Sequence, residues 1–126
     1  MIERVERGEV WLYDPEQSFG KEMGRNPSSN YRLCIVVSND TFNNGPSGLL
    51  VIVPCTTKDK GRPSQVLITK IDGGVKKMCF ALPEHIHSVD KNRLCSKWGN
   101  IKNPDVIKDI SGWLADILDL EYFGFQ

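Results

Sequence analysis

Along most of the chain the apolar residues fall in short runs punctuated by glycine, proline and asparagine; only near the end do they take up helical spacing. Gly8–Asp14 (GEVWLYD) is rich in strand formers and stops at Asp14-Pro15, a turn signal. Arg32–Ser38 (RLCIVVS) is almost continuously apolar, which predicts a strand buried on both faces. Asn39-Asp40 opens a turn or short helix carrying Phe42, and 43–48 (NNGPSG) is a connector. Leu49–Thr56 (LLVIVPCT) predicts a second central strand, and Ser64–Ile71 a half-buried one that ends at the turn Asp72-Gly-Gly74. Met78–Val89 reads as a bent strand with Pro83 at a bulge or edge, and Leu94–Ile101 as one more short strand.

The last segment changes period. Asn103-Pro104-Asp105 supplies an N-cap residue, a proline for the first helical position and an acid for the first turn. Val106, Ile107, Ile110, Trp113, Leu114, Ile117 and Leu118 then recur on one helical face, with Gly112 a mild interior cost. Five or six strands followed by one helix, without strand–helix alternation, predict a mainly β (α+β) fold. The expected form is a small antiparallel barrel or strongly curved sheet with a packed C-terminal helix. No repeat or composition break divides the chain, so residues 1–126 read as one domain.

Composition sharpens this picture. The chain has 126 residues, 40% hydrophobic and 25% charged, which is globular. Its net charge is zero, which removes the simplest case for a general nucleic-acid coat. That zero conceals a basic middle: residues 17–102 carry +7, against −3 over 1–16 and −4 over 103–126. The start has alternating charges and no apolar signal region, and the longest apolar run is far too short to span a bilayer. A soluble cytoplasmic protein is expected. Cys34, Cys55, Cys79 and Cys95 lack zinc-like spacing and read as buried free thiols. No nucleotide-binding glycine loop, H-E-x-x-H or G-x-S-x-G is present, which excludes those enzyme classes at the motif level. What remains are polar residues at strand ends beside two loops: the long 15–30 loop and the basic loop Thr57–Pro63.

In order along the chain stand RGEVWLYD (7–14), GKEMG (20–24), RLCIVVSND (32–40), VPCTTK (53–58) and EHIHSVDKNRL (84–94). These motifs resemble the MazF/PemK/Kid toxin family and are colinear with it over nearly the whole chain. The resemblance implies an SH3-like barrel of the CcdB/Kid/MazF type, acting as a homodimer. It further implies a toxin of a type II toxin–antitoxin system: a metal-independent, sequence-specific endoribonuclease that cuts single-stranded RNA and needs no cofactor. The products would be 2′,3′-cyclic phosphate (or 3′-phosphate) and 5′-OH ends, and the cognate antitoxin would act through an acidic disordered segment. Arg32 falls on the family's catalytic arginine and Thr56 on its catalytic threonine, while Glu22 and Glu84 fall on acidic positions, Glu84 as base or orienting group.

The chain also departs from the family pattern. Leu33 replaces the usual proline, Lys21 a frequent serine, His85 a frequent glutamine and His87 a frequent arginine. The loop from Arg25 to Tyr31 is longer than usual. Leu82 stands where PemK and Kid members have an arginine, so the MazF-like branch fits better. Lys21, Arg25, Lys58, Lys60 and Arg62 are candidate phosphate contacts, or simply solvated loop charges. Thr57 neighbours Thr56 but should point to the other face if the strand continues. Tyr31 is the stronger base-stacking candidate, ahead of Phe42, and Trp11 reads as core. His85 and His87, two apart on the predicted bent strand and so on one face, lack a third ligand for a metal and read as RNA-facing groups able to shuttle a proton. From the residues alone, Arg32 could equally pair with Asp40 or a glutamate. Two alternatives remain: a CcdB-like gyrase poison, although the ending 122–126 (YFGFQ) lacks its Trp-Gly-Ile, and a catalytically silent binding member.

Overall fold

The computed structural model describes residues 4–15 and 31–120. Among these residues seven strands and two helices follow one another. They are β1 (Glu9–Tyr13), β2 (Arg32–Val36), α1 (Asp40–Asn43), β3 (Leu49–Thr56), β4 (Val66–Ile68), β5 (Cys79–Ala81), β6 (His87–Asp90), β7 (Leu94–Asn100) and α2 (Pro104–Leu118). Every pairing is antiparallel, in the order β4-β5-β3-β2-β1-β7, with β6 added beside β3. The sheet curls into an SH3-like half-barrel, and α2 packs against β4 and the segment after β5.

The near-continuous apolar runs have a direct structural reason, since both faces of the central strands are covered. Odd-numbered Ile35, Val53 and Cys55 join Val10 in a core that α2 closes with Val106, Ile110 and Leu114. Even-numbered Cys34, Val36, Leu50 and Ile52 join Trp11 and Tyr13 in a second core on the opposite face. The helix starts as its sequence dictates: the Asn103 side chain accepts the Asp105 N–H at 2.9 Å, with Pro104 in the first turn. Its buried stripe stops at Leu114. Ile117 and Leu118 are 44% and 48% exposed.

Three sequence expectations change. The Ser64–Ile71 strand shrinks to Val66–Ile68, since the Asp72 carboxylate accepts the Thr69 N–H at 2.8 Å and turns the chain early. Cys95 is exposed, whereas the other three cysteines are buried. Met78–Val89 is not one bent strand. β5 and β6 are separate, joined by a single 3-10 turn at Pro83–His85.

That break originates in β3. Its outer edge is served by β6 along Leu49–Ile52 and by β5 along Cys55–Thr56, with Pro54 between them. The Pro54 carbonyl accepts the Leu82 N–H at 2.9 Å, so the N–H that proline lacks would face the same edge. The ladder cannot run through this point. The chain instead swings outward through Pro83, Glu84 and His85 before rejoining β3.

One close crossing fixes the opposite end. Gly73 has φ +105°, and a Cβ there would collide with the Asn100 carbonyl and Lys102. Turn and β7 therefore touch backbone to backbone.

Candidate active site

Two cavities of ≈ 300 Å³ each open where β2 begins and β3 ends. Arg32, Cys55 and Thr56 line both of them. The strand register explains the pairing of Arg32 with Thr56. The β2–β3 ladder runs from Val36–Ile52 to Cys34–Pro54, and just past its end Arg32 on β2 and Thr56 on β3 come to the same two cavities. The first cavity adds Tyr31, Leu33, Thr57, Lys58 and Cys79. The second, on the other face of the sheet, adds Tyr13, Pro15 and Lys60, with Leu82, His85 and His87 from the detour. Arg32 and Thr56 thus occupy a rim shared by both.

Arg32 is exposed, and among the described residues its guanidinium meets no carboxylate. Asp40, the partner its position suggested, instead accepts the Arg7 N–H at 2.7 Å. The Thr56 hydroxyl oxygen accepts the Lys58 N–H at 3.2 Å, which orients the group and leaves its own hydrogen to donate. An arginine and a hydroxyl donor side by side, with Lys58 and Lys60 nearby, can bind a phosphodiester and a charge that grows on it.

The basic loop is held by the Gln65 side chain, whose carbonyl accepts the Lys60 N–H at 2.8 Å and whose amide donates to the Lys58 carbonyl at 3.1 Å. Glu84 braces the loop's end, accepting from Arg62 Nη1 at 3.0 Å and from the Ser64 hydroxyl at 2.7 Å. Burial works to raise the Glu84 carboxyl. Donation from Ser64, a backbone N–H and Arg62 outweighs it and holds the group below the usual carboxylate range. Glu84 and Arg62 line neither cavity.

The detour also revises the reading of the two histidines. They do not share a strand face: His85 ends the 3-10 turn and His87 begins β6. Both still open onto the second cavity, and His87 Nδ1 lies 2.9 Å from the His85 carbonyl oxygen. Among the described residues no group of three or more His, Cys, Asp or Glu could hold a metal ion. Beside His87, at 6.3 Å between ring centroids, stands Tyr13. Burial pushes its phenol up to about 12, with Cys34 adding to the shift and Arg32 and Arg93 opposing it.

Tyr31 lines the first cavity, next to Arg32. Phe42 is 40% exposed on α1 and lines neither cavity. Trp11 is buried, its indole N–H donating to Glu9 at 2.9 Å. Lys21, Glu22 and Arg25 lie outside the described residues. Sequence reasoning missed Tyr13, Gln65 and Ser64. Only alternation along β1 could have put Tyr13 on the site face, and nothing in the sequence pairs Gln65 or Ser64 with their partners. A larger hollow on the outside of α2, ≈ 390 Å³, has Asp109 and Asp116 in its wall, which repel phosphate.

Comparisons with known proteins bear on the family and the fold. A family model described as the PemK-like, MazF-like toxin of type II toxin–antitoxin systems matches residues 6–118. The chain belongs to that family. Its fold is similar to a chain of the MazE–MazF complex from Deinococcus radiodurans, 25% identical, with 94% of this chain and 99% of that chain covered and a TM-score of 0.68. MazF from the same organism matches at 24% identity, 92% and 97% coverage and a TM-score of 0.70. A mycobacterial endoribonuclease in complex with its cognate antitoxin matches at 20% identity, 94% and 96% coverage and a TM-score of 0.67. No curated protein matches the sequence. No helix among the described residues is long and apolar enough to cross a membrane.

Proposed function

We propose that the chain is a sequence-specific endoribonuclease toxin that cuts single-stranded RNA without a metal ion. The observation that carries this is Arg32, without a carboxylate partner among the described residues, together with Thr56 on the rim shared by two cavities. In the proposed reaction the 2′-OH attacks the neighbouring phosphorus and the bond to the 5′-oxygen breaks. The products are a 2′,3′-cyclic phosphate (or its 3′-phosphate) and a 5′-OH. Arg32 grips two phosphate oxygens and neutralises the charge gained in the transition state. Thr56 donates to a non-bridging oxygen. Glu84 acts as an orienting group, holding Arg62 and thereby the loop that carries Lys58 and Lys60 toward the backbone of the RNA.

Tyr31, Thr57, His85 and His87 are proposed to contact the RNA substrate, as are Lys21, Glu22 and Arg25 of the long loop. The working unit is proposed to be a homodimer in the cytoplasm. The same basic rim would take the acidic segment of a cognate antitoxin, so RNA and inhibitor compete for it.

The test is a long single-stranded RNA incubated in EDTA with wild type, Arg32→Ala and Thr56→Ala. Cutting at defined sites with cyclic-phosphate ends, lost in both variants, is expected. A folded wild type that cuts nothing overturns the reading and leaves a catalytically silent member.

A further inference from the structure

Neither Arg32 nor Thr56 accepts a proton readily, yet the 2′-OH must lose one before it attacks. Most groups around the second cavity are unsuited to this. Arg32 from β2 and Lys60 from the basic loop are cations without a lone pair to offer. The Tyr13 phenol, from β1, is held protonated by burial, and Thr56 from β3 is a donor. Cys55, also from β3, keeps its proton because its sulfur lies against Cys79 and is buried. No carboxylate lines the cavity among the described residues, and Glu84 is engaged by Ser64 and Arg62.

His87 differs from all of these. Its Nδ1 lies 2.9 Å from the His85 carbonyl oxygen, which can only accept. Nδ1 therefore carries the hydrogen in the neutral ring, and the lone pair is on Nε2. For the ring of His85, the other imidazole in the cavity wall, no such hydrogen bond among the described residues fixes a tautomer. The carbonyl that fixes His87 exists because the chain detours at Pro83–His85 instead of continuing as a strand.

We infer that His87 is the general base of RNA cleavage, its Nε2 taking the proton of the attacking 2′-OH; this rests on the cleavage reading above. As that proton moves to Nε2, the 2′-oxygen forms its bond to phosphorus. The P–O5′ bond breaks with its electron pair going to O5′, which takes a proton from water. The imidazolium returns its proton to the resulting hydroxide. Nothing is oxidised or reduced, and no water is consumed in forming the cyclic phosphate. Arg32 and Thr56 supply the charge stabilisation, and His87 the proton acceptor they lack.

The experiment uses the full-length protein and a short RNA built around a site that wild type is first shown to cut. His87→Asn and His87→Gln are measured for kcat, RNA affinity and pH–rate profile. His87→Ala is measured with and without added imidazole. The expected result is a loss in kcat of about 10²–10⁴-fold with RNA affinity retained. The rising acid limb of the wild-type profile should disappear in both variants, and imidazole should restore His87→Ala. The same loss is expected on RNA with sulfur in place of the 5′-bridging oxygen, because that leaving group needs no acid but the attack still needs a base. If wild type cuts and the variants keep kcat and the acid limb, the base assignment falls while the cleavage reading stands. A defect that vanishes on the sulfur substrate makes His87 the acid and also overturns it. A folded wild type that cuts no RNA at any pH removes both readings.

Discussion

Glu84 and Arg62 join two segments 22 residues apart in sequence, with the carboxylate Oε2 3.0 Å from Nη1 and the Ser64 hydroxyl on Oε1 at 2.7 Å. The basic loop and the Pro83–His85 turn are therefore one mechanical unit beside the shared rim.

That bridge makes stability depend on pH with a definite sign. The folded Glu84 carboxyl lies below its usual range, so its contribution is complete above the unfolded value, about 4.3, and is lost as pH falls through the lower folded value. Glu84→Gln should cost about 0.5–1 kcal/mol at pH 7, discounted for solvent screening because the Arg62 side chain is half exposed. Urea denaturation from pH 7 to pH 2 should show the gap between wild type and variant closing on the acid side.

Arg32 stands apart from the packing, so its loss should separate activity from stability. Arg32→Ala is expected to lower kcat about 10²–10³-fold. Arg32→Lys should recover only part of this, since a point charge cannot grip two oxygens in a fork. Thermal unfolding of both should match wild type.

Thr56→Val keeps the strand shape and removes the hydroxyl, so kcat should fall about 10²-fold while RNA affinity holds. Thr56→Ser should retain most activity. Activity kept in Val and lost in Ser would show that the methyl group, not the oxygen, matters.

Lys58 and Lys60 line different cavities and should each report one phosphate contact. Titrating RNA binding against salt, Lys58→Ala/Lys60→Ala should reduce the slope of log K on log salt by about 1.4, from about 0.7 per contact on single strands. An unchanged slope would return both lysines to the solvent.

Gly73→Ala should be among the most damaging single-atom changes, costing more than about 2 kcal/mol. The added Cβ meets the Asn100 carbonyl at a φ of +105°, and backbone on both sides blocks relief. Gly112→Ala, with open space around its Cβ position, should instead stabilise α2, by about 0.5–1 kcal/mol. Calorimetric melting of the pair checks both signs.

How far these features could be read in advance depended on how local their physics is. The α2 cap at Asn103 and the doubly buried run at β2 follow from adjacent residues, and both are present. Ordered motifs single out Arg32 and Thr56 as candidates, whereas their meeting at the same two cavities depends on how β2 and β3 pair. Pro83 announced an irregularity, but its form was set by Pro54, nearly thirty residues away, which interrupts the ladder from the other side. With the form went the meaning of the histidine spacing. Gln65 and Ser64 have no local signature, because a side chain that ties a loop is defined only by the backbone it reaches.

The break in the β3 edge has a consequence for engineering. Residues 82–87 are held at their ends by the Leu82–Pro54 hydrogen bond and by the pairing of His87 with Ile52, and neither anchor depends on the side chains of Glu84, His85 or Ile86. Between those anchors Glu84 ties the segment to Arg62 and Ser64, and Ile86 packs on the core, so an exchanged segment must keep these two positions. Grafting the corresponding stretch from another toxin with those two positions kept should change the wall of the second cavity while leaving both ladders in register.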